Sequence, residues 1–505
     1  MELPRISEAL SERTFLVTGA TGLVGKALVE KLLYSVPTVR KIFLIIRPLR
    51  GTTAKDRWLK ITQAFHLFSH FSHLQFLLSF LFVLSPITNV PLKSAIFDRI
   101  RNDNPEVLEK VVIVEGDLLH EGLGLSTTDV RQIINQVTVV FHCAATVRFN
   151  EKFRFAMDLN VLGTKRLASM CLDIKNFKCF VHCSTAYANC PQSTLPETTF
   201  NAPYDTQKMF EFMKKSDNAT IERLTNSLLG NHPNTYTFSK AMAEAVLKDM
   251  SEKLPIVIVR PSIIIGMWRD NLPGWVDSFN GLTGLAAAVG KGVLSSLCGE
   301  YSYKADLIPV DVVANLMIAA AVHRMQQESN VLPVFNCVSG SINPITWRLA
   351  LDIMNKFYKI NPISKTFFKP RLLFHRRKRV SKMNHLLKHG WPAMLVDAGA
   401  VVVCKKTNLQ RIDAKVCGAV KVLEYFTSHE WDFESSQSIA LWESLNKEDK
   451  QEFFFDMREM EWVPYGFDFM LGLNKYLVSK NEGEKEVLYD KKKEQFMQIF
   501  EDKQY

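Results

Sequence analysis

The sequence predicts an α/β protein: a doubly wound parallel sheet followed by a smaller helical region. Three observations carry this expectation. Short, nearly continuous apolar runs recur through roughly the first two-thirds of the 505 residues, as expected of strands buried on both faces. Amphipathic stretches such as "GKALVEKLLYSV" and "AMAEAVLKDMSEK" lie between them, and alternation of this kind builds parallel sheets. A glycine-rich turn joins the first apolar run to the first amphipathic stretch.

In order, the predicted strands are "TFLVT" (14–18), "KIFLII" (41–46), "VVIVE" (111–115), "VTVVFH" (137–142), "CFVHC" (179–183) and "IVIVR" (256–260). Each is rich in β-branched and aromatic residues, which fit a pleated surface. The chain divides into a dinucleotide-binding α/β domain over 12–340, a basic linker over 341–385, a helical domain over 386–478 and a charged tail, read as a frayed helix, over 479–505. An apolar insertion at 62–92 interrupts the first domain, and no internal repeat is visible.

The composition, 47% hydrophobic and 23% charged, is that of an ordinary globular chain with a sizeable core. The net charge of +10, spread over this length, does not point to nucleic acid. It suits equally an anionic cofactor, an anionic substrate or an acidic membrane surface. Part of it is local, in "KPRLLFHRRKRVSK", with Lys369, Arg371, Arg376, Arg377, Lys378, Arg379 and Lys382. That run reads either as a solvated linker face or as a contact for membrane or coenzyme phosphates. Nine cysteines include no C-x-x-C pair and no zinc-like spacing, so a reducing compartment and no metal site are expected. Neither a secretory signal at "MELPRISEALSER" nor a hydrophobic anchor at "FMQIFEDKQY" is expected.

The turn "TGATGLVG" places Thr18, Gly19, Thr21, Gly22, Leu23, Val24 and Gly25 between the first strand and the first helix. Glycines there let the backbone approach a pyrophosphate at a helix N-terminus, where N–H groups are unpaired. After the second strand stand Arg47 and Arg50, where a site for NAD would carry an acidic residue. Guanidinium groups suit a 2′-phosphate, so the expected cofactor is NADPH. In "EGDL", Asp117 and Leu118 follow the third strand; Asp117 either meets the adenine amino group or serves only the turn. Ala144, Ala145 and Thr146 follow the fourth strand, and their small side chains permit close approach of the cofactor.

"NTYTFSKAMAEAVL" sets Tyr236 and Lys240 on one face of a predicted helix. A nearby ammonium brings a phenol closer to working pH and makes it a better proton shuttle. Ser184 and Thr185 end the fifth strand, at the edge where ligands of such sheets bind. One of the two is expected to hold a substrate carbonyl oxygen, Thr185 ahead of Ser184. Asn160 in "DLNVLGTKR" is placed at a helix start, where it either supports Lys240 through water or caps the helix.

The fingerprint, the S-T-A-Y strand end and Tyr-x-x-x-Lys together resemble the extended short-chain dehydrogenase/reductases, whose sheet is Rossmann-type. More specifically the chain resembles the animal fatty acyl-CoA reductases. The carrying stretches include "IRPLRG", "FHCAATVRF", "VHCSTAYANC", "RPSIIIG", "PGWVDSFNGLTGL" and "ADLIPVDVVAN". "LEYFTSHEWDF" resembles the sterile-type helical domain of those reductases. "YTFSK" replaces the usual Y-T-Y-T-K, and "NGLTGL" the usual N-G-P-T-G-L; neither change removes a reacting group.

The resemblance implies NADPH-dependent reduction of long-chain acyl-CoA to a primary alcohol through an aldehyde, for wax or ether lipid synthesis. It implies that Arg260, Pro261, Ser262 and Ile263 line the nicotinamide side and that Lys291 meets coenzyme phosphate. "VDSFNGLTGLAAAVGKGVL" is then either acyl-tunnel wall or tight helix packing. Peripheral membrane contact at the cytosolic face of the peroxisome or endoplasmic reticulum is implied as well. Oligomeric state is left open. A sugar-nucleotide or steroid enzyme of the same superfamily, or a non-catalytic NADPH-binding protein, are the competing readings.

The insertion, with "FSHLQFLLSFLFVLSPITNV" at its centre, carries no Asp, Glu, Lys or Arg from Ile61 to Leu92. A single membrane crossing there would separate strands that must pair in one sheet. Three readings stand: a re-entrant or interfacial membrane contact, a surface-packed insertion, or a remnant of an intron retained in the transcript.

Overall fold

The structure is a computed structural model; it describes residues 5–49, 51–62, 94–327, 331–363, 366, 368–402, 409–478 and 486–501. The 62–92 insertion beyond Thr62, and Arg50, lie outside these residues. At the base of the insertion the Ser94 N–H donates to the Ile61 carbonyl at 3.0 Å, and Arg101 Nη1 donates to the Thr62 carbonyl at 2.6 Å. The two ends of the inserted length therefore meet at one point.

Seven parallel strands form the central sheet: β1 (Thr14–Thr18), β2 (Lys41–Ile46), β3 (Val111–Glu115), β4 (Val139–His142), β5 (Cys179–Cys183), β6 (Ile256–Pro261) and β7 (Val334–Cys337). Their spatial order is β7-β6-β5-β4-β1-β2-β3. All residues of β1, β4 and β5 are buried, which explains their unbroken apolar character. The chain runs outward from β1 in both directions, so a crevice opens at the carboxyl ends of β1 and β4. β4 starts two residues later than expected, because Val137 ends the helix Thr127–Gln136. β7 is a strand the sequence did not announce. It is short, and its Asn336 side chain donates to the Leu195 carbonyl at 3.0 Å and the Glu434 carbonyl at 2.7 Å.

Helix α1 (Leu23–Ser35) follows the glycine turn. Helix α2 (Thr235–Met250) is buried along almost its whole length and capped by Asn234, whose Oδ1 accepts from the Thr237 N–H at 2.9 Å. Helix α3 (Gly281–Gly290) is apolar and buried, and α4 (Val310–Gln326) packs beneath the sheet against α1, β5 and β6.

The 341–385 stretch, expected as linker, instead carries α5 (Trp347–Ile360), the strand Leu373–His375 and α6 (Lys378–His385). The reason is visible in α5: Trp347, Leu351, Met354 and Tyr358 recur at helical spacing and are all buried. Beyond it come α7 (Trp391–Val402), α8 (Leu409–Thr427) and α9 (Trp462–Leu473), the helical character expected there. Of these, α8 and α9 share the core of the α/β unit. Gly274 (φ +78°) and Gly472 lie so close that a Cβ on Gly472 would stand 1.9 Å from the Gly274 carbonyl oxygen. Within the tail read as a frayed helix, residues Glu486–Glu501 form α10, whose Phe496 is fully buried and whose Lys493 pairs with Asp468 at 2.8 Å.

Candidate active site

At the crevice, Gly19 takes φ +74°, and a Cβ there would meet the Ala144 nitrogen at 2.7 Å; one on Gly25 would stand 2.2 Å from the Gly19 carbonyl oxygen. Only glycine permits this approach of turn, helix and strand. A cavity of about 600 Å³ opens above the turn, lined by Gly19, Thr21, Gly22, Leu23, Val24 and Gly25. Thr18, expected beside them, does not line it. Its Oγ1 bonds His142 Nδ1 at 2.7 Å and accepts from the Ala144 N–H at 3.3 Å, so it ties β1 to β4 below the floor.

At one end of the cavity stand Arg47, Asp117, Leu118 and a residue the sequence reading missed, Arg57. Arg57 donates to the Arg47 carbonyl, and burial, then the Arg47 charge, lower its pKa. Two arginines on one stretch of cavity wall form a seat for an anion. Asp117 Oδ2 lies 4.0 Å from Arg47 Nη1, while its Oδ1 accepts from the Leu119 N–H at 3.1 Å.

Ala144 and Ala145 line the cavity, but Thr146 does not. The Thr146 N–H donates to Asn160 Oδ1 at 2.9 Å, and Asn160 Nδ2 donates to Ser239 Oγ at 2.9 Å. Asn160 lies inside a π-helical turn, Asp158–Leu162, rather than at a helix start. It clasps the Thr146 loop to α2.

The structure brings Tyr236, Lys240, Ser184 and Thr185 together on the cavity wall. Lys240 Nζ donates to the Cys183 carbonyl at 2.7 Å, which fixes its position against the end of β5. Burial lowers the Lys240 pKa against the neighbouring Cys183, Cys143 and Glu244, which raise it. The Tyr236 phenol is pushed up, first by burial and then by Cys183, while a hydrogen bond with Thr185 pulls it down. Burial therefore governs the phenol in this arrangement, and the expected lowering by the Lys240 ammonium does not.

Ser184 and Thr185 are not equivalent. The Ser184 hydroxyl donates to Glu244, a carboxylate that also binds Arg260 through Nε at 3.0 Å and Nη2 at 2.6 Å. Arg260, expected at the nicotinamide, is 2% exposed and absent from the cavity wall. A buried guanidinium needs a partner, and Glu244 supplies it. Pro261, Ser262 and Ile263 do line the cavity. Lys291, expected at coenzyme phosphate, is buried.

Past Tyr236 the walls turn apolar, with Leu285, Ala288, Leu297, Leu351, Leu423 and Phe426. The last two belong to α8, so the C-terminal region completes the cavity. Phe149 stands edge-on to Tyr236 at 5.5 Å and meets Phe426 at 5.3 Å. Thr235 Oγ1 donates to the Phe149 and Glu151 carbonyls at 3.2 and 3.0 Å, which holds this loop over the tyrosine. Phe149, Glu244 and Phe426 carry no spacing signal that would single them out in the sequence.

Elsewhere among the described residues, His385, Asp413 and Cys417 bring one nitrogen, oxygen and sulfur donor within 4.8 Å of one another. His385 Nε2 is bonded to Asp413 Oδ1 at 2.8 Å. No motif announced this trio, because its members come from two helices.

A glycine cradle at the topological switch point, beside a Tyr-x-x-x-Lys pair and a strand-end threonine, defines a nicotinamide-dinucleotide oxidoreductase site. Residues 17–317 match the NAD-binding model described as male sterility protein, and residues 388–480 match the Sterile model of the same description. The chain is 34% identical over 475 residues to fatty acyl-CoA reductase 1 of Rattus norvegicus, covering 94% of this chain and 86% of that protein. It is 32% identical over 477 residues to fatty acyl-CoA reductase 2 of Mus musculus, covering 94% and 87%. The chain belongs to the fatty acyl-CoA reductase family. In fold it is similar to the reductase domain of a non-ribosomal peptide synthetase from Mycobacterium tuberculosis (TM-score 0.56, 15% identity, covering 93% and 95% of the two chains). The terminal R domain of the myxalamid pathway is also similar (TM-score 0.54, 15% identity, 92% and 91%).

Proposed function

We propose that this chain reduces long-chain fatty acyl-CoA to the primary alcohol with two equivalents of NADPH, both steps taking place at one site. The observation that carries the reading is the continuity of one cavity from the glycine turn, past Tyr236 and Thr185, into apolar walls. An alkyl chain suits those walls, since each buried methylene is worth about 0.8 kcal/mol.

NADPH, when bound, supplies hydride to the substrate carbonyl carbon. Gly19, Gly22 and Gly25 would admit its pyrophosphate against α1. Arg47 and Arg57 favour the 2′-phosphate over a bare ribose. Thr185 and Tyr236 hold the carbonyl oxygen, stabilise the charge that develops on it, and Tyr236 supplies its proton. Lys240, fixed by the Cys183 carbonyl, keeps positive charge beneath the phenol. Ser184 acts through Glu244 and Arg260 as part of the wall's frame. Collapse of the resulting hemithioacetal returns its hydroxyl proton to Tyr236 and expels the thiolate of coenzyme A, a better leaving group than an alkoxide. The aldehyde then stays at the same oxygen-binding pair for the second reduction.

The alcohol product is apolar, which favours work at a membrane face. The reading therefore extends to peripheral association with the cytosolic face of peroxisome or endoplasmic reticulum, with alcohol passing to wax or ether lipids. Purified protein given NADPH and saturated acyl-CoAs of increasing length should yield fatty alcohols, identified by mass spectrometry. No acyl-CoA-dependent oxidation of NADPH with any chain would overturn the reading.

A further inference from the structure

The helical run formed by α6, the π-helical turn Leu386–Gly390 and the start of α7 reverses the usual polarity of a surface helix. A helix on a globular protein turns its apolar stripe inward and its polar face to water. Here Ser381, His385 and His389, four residues apart, form the buried face. The Ser381 carbonyl accepts from Ser296 Oγ at 3.1 Å, His385 bonds Asp413 at 2.8 Å, and His389 Nε2 bonds Ser295 Oγ at 2.8 Å. The opposite face carries Met383, Leu387, Trp391 and Leu395, also four apart, with exposures of 59%, 54%, 55% and 67%. Val380, Leu386 and Met394 extend it, and Val396 is exposed farther along α7. Eight of the fifteen large hydrophobic side chains exposed among the described residues thus fall in this one segment. Contiguous exposed apolar surface of this kind marks an interaction site.

The charge around it says what the partner is. From Lys369 to Val396 there is no Asp or Glu. Arg377, Arg379, Lys382 and Lys388 are exposed on the same segment, while Arg376 and Lys378 pair with Glu300 and Glu424. Two copies of such a face would set like charges against each other. An anionic bilayer takes both features at once, because apolar side chains and an interfacial tryptophan enter the acyl boundary while basic residues meet headgroups. Among the described residues no helix is long and apolar enough to cross a membrane, so the contact lies in the plane of the surface. We propose that the face carrying Met383, Leu387, Trp391 and Leu395 is an in-plane docking surface for an anionic lipid bilayer. The proposal does not depend on the reaction assigned to the cavity.

The test is co-sedimentation of the full chain with vesicles of phosphatidylcholine alone or mixed equally with phosphatidylserine. Binding is expected to the mixed vesicles and to weaken with salt. The double variant Leu387→Glu/Trp391→Glu should lose roughly tenfold or more in vesicle affinity while its melting temperature and NADPH binding stay those of the parent. Arg377→Glu/Arg379→Glu should lose a similar factor on the mixed vesicles, given about 1 kcal/mol per basic residue. Absence of binding by the parent overturns the proposal. So does binding that neither double variant reduces, which would put lipid contact elsewhere on the chain. A parent that is dimeric in solution, dissociates on Leu387→Glu/Trp391→Glu and ignores vesicles would also overturn it, making the face a self-interface.

Discussion

At the scale of residues, the account rests on Tyr236 and on the difference between the two hydroxyls beside it. Thr185 draws the pKa of the phenol down and makes only long hydrogen bonds of its own, to the Pro261 carbonyl at 3.4 Å and from the Tyr187 N–H at 3.3 Å, whereas Ser184 is spent on Glu244. Tyr236→Phe keeps the ring and its contact with Phe149 but removes the proton. Turnover should fall roughly a hundred- to ten-thousand-fold, with NADPH affinity nearly unchanged; a variant that still turns over normally would remove Tyr236 from its role. Cofactor choice is a second residue-scale matter. Arg47→Ala and Arg57→Ala should each weaken NADPH by about tenfold or more, the worth of one charge-assisted hydrogen bond, while NADH binding barely moves. Equal losses for both cofactors in a fluorescence titration would mean the guanidinium groups do not read the 2′-phosphate. Arg47 was legible from its place after β2. Arg57 was not, since only the fold carries a residue ten positions later back to the same anion seat.

At the scale of elements, the glycine turn and the α6–α8 contact are the two places where one change has a clear consequence. A Cβ on Gly25 meets backbone, not a yielding side chain. Gly25→Ala should cost about 1–3 kcal/mol and abolish dinucleotide binding, read by thermal unfolding with and without NADPH. The α6–α8 contact depends on pH. Burial draws the His385 pKa down, yet hydrogen bonds to Asp413 and Cys417 outweigh it and raise the value to about 9. His389, one turn on, is pushed down to about 4 by burial and by His385, so it stays neutral nearby. A histidine raised in the folded state adds stability that is complete below its unfolded value near 6.5 and is lost as pH rises through about 9. Melting temperature should therefore fall across that interval in the parent and less so in His385→Asn. Elements were legible to the extent that their signal was local. Six strands read directly as unbroken apolar runs. β7 hid because Asn336 interrupts its run, and the partners that justify that asparagine are carbonyls far along the chain. The periodic Trp347, Leu351, Met354 and Tyr358 of α5 were present in the sequence but overshadowed by the basic run after them.

At the scale of the whole molecule, the cavity belongs to neither half of the chain alone. The sheet contributes the dinucleotide end, and α8 closes the apolar end through Leu423 and Phe426. Tyr187 ties the halves together, meeting Phe426, Trp431 and Phe433 edge-on at 5.0, 5.2 and 5.4 Å. Trp431 Nε1 donates to the Cys190 carbonyl at 2.9 Å. No periodicity foretells that a helical C-terminal region lays these aromatics on the S-T-A-Y turn, which is why the glycines and the Tyr/Lys pair were readable and the far wall was not. The central claim is that one site, with Tyr236 in it, carries an acyl-CoA through to alcohol at the expense of two NADPH. The direct measurement uses NADPH with deuterium at both nicotinamide C4 positions and palmitoyl-CoA, with mass spectrometry of the extracted lipid. Hexadecanol carrying two deuterium atoms on its carbinol carbon is predicted from the parent protein, with labelled alcohol and labelled aldehyde both down by about a hundredfold or more in Tyr236→Phe. Unlabelled product, or aldehyde as the sole product, would contradict that claim.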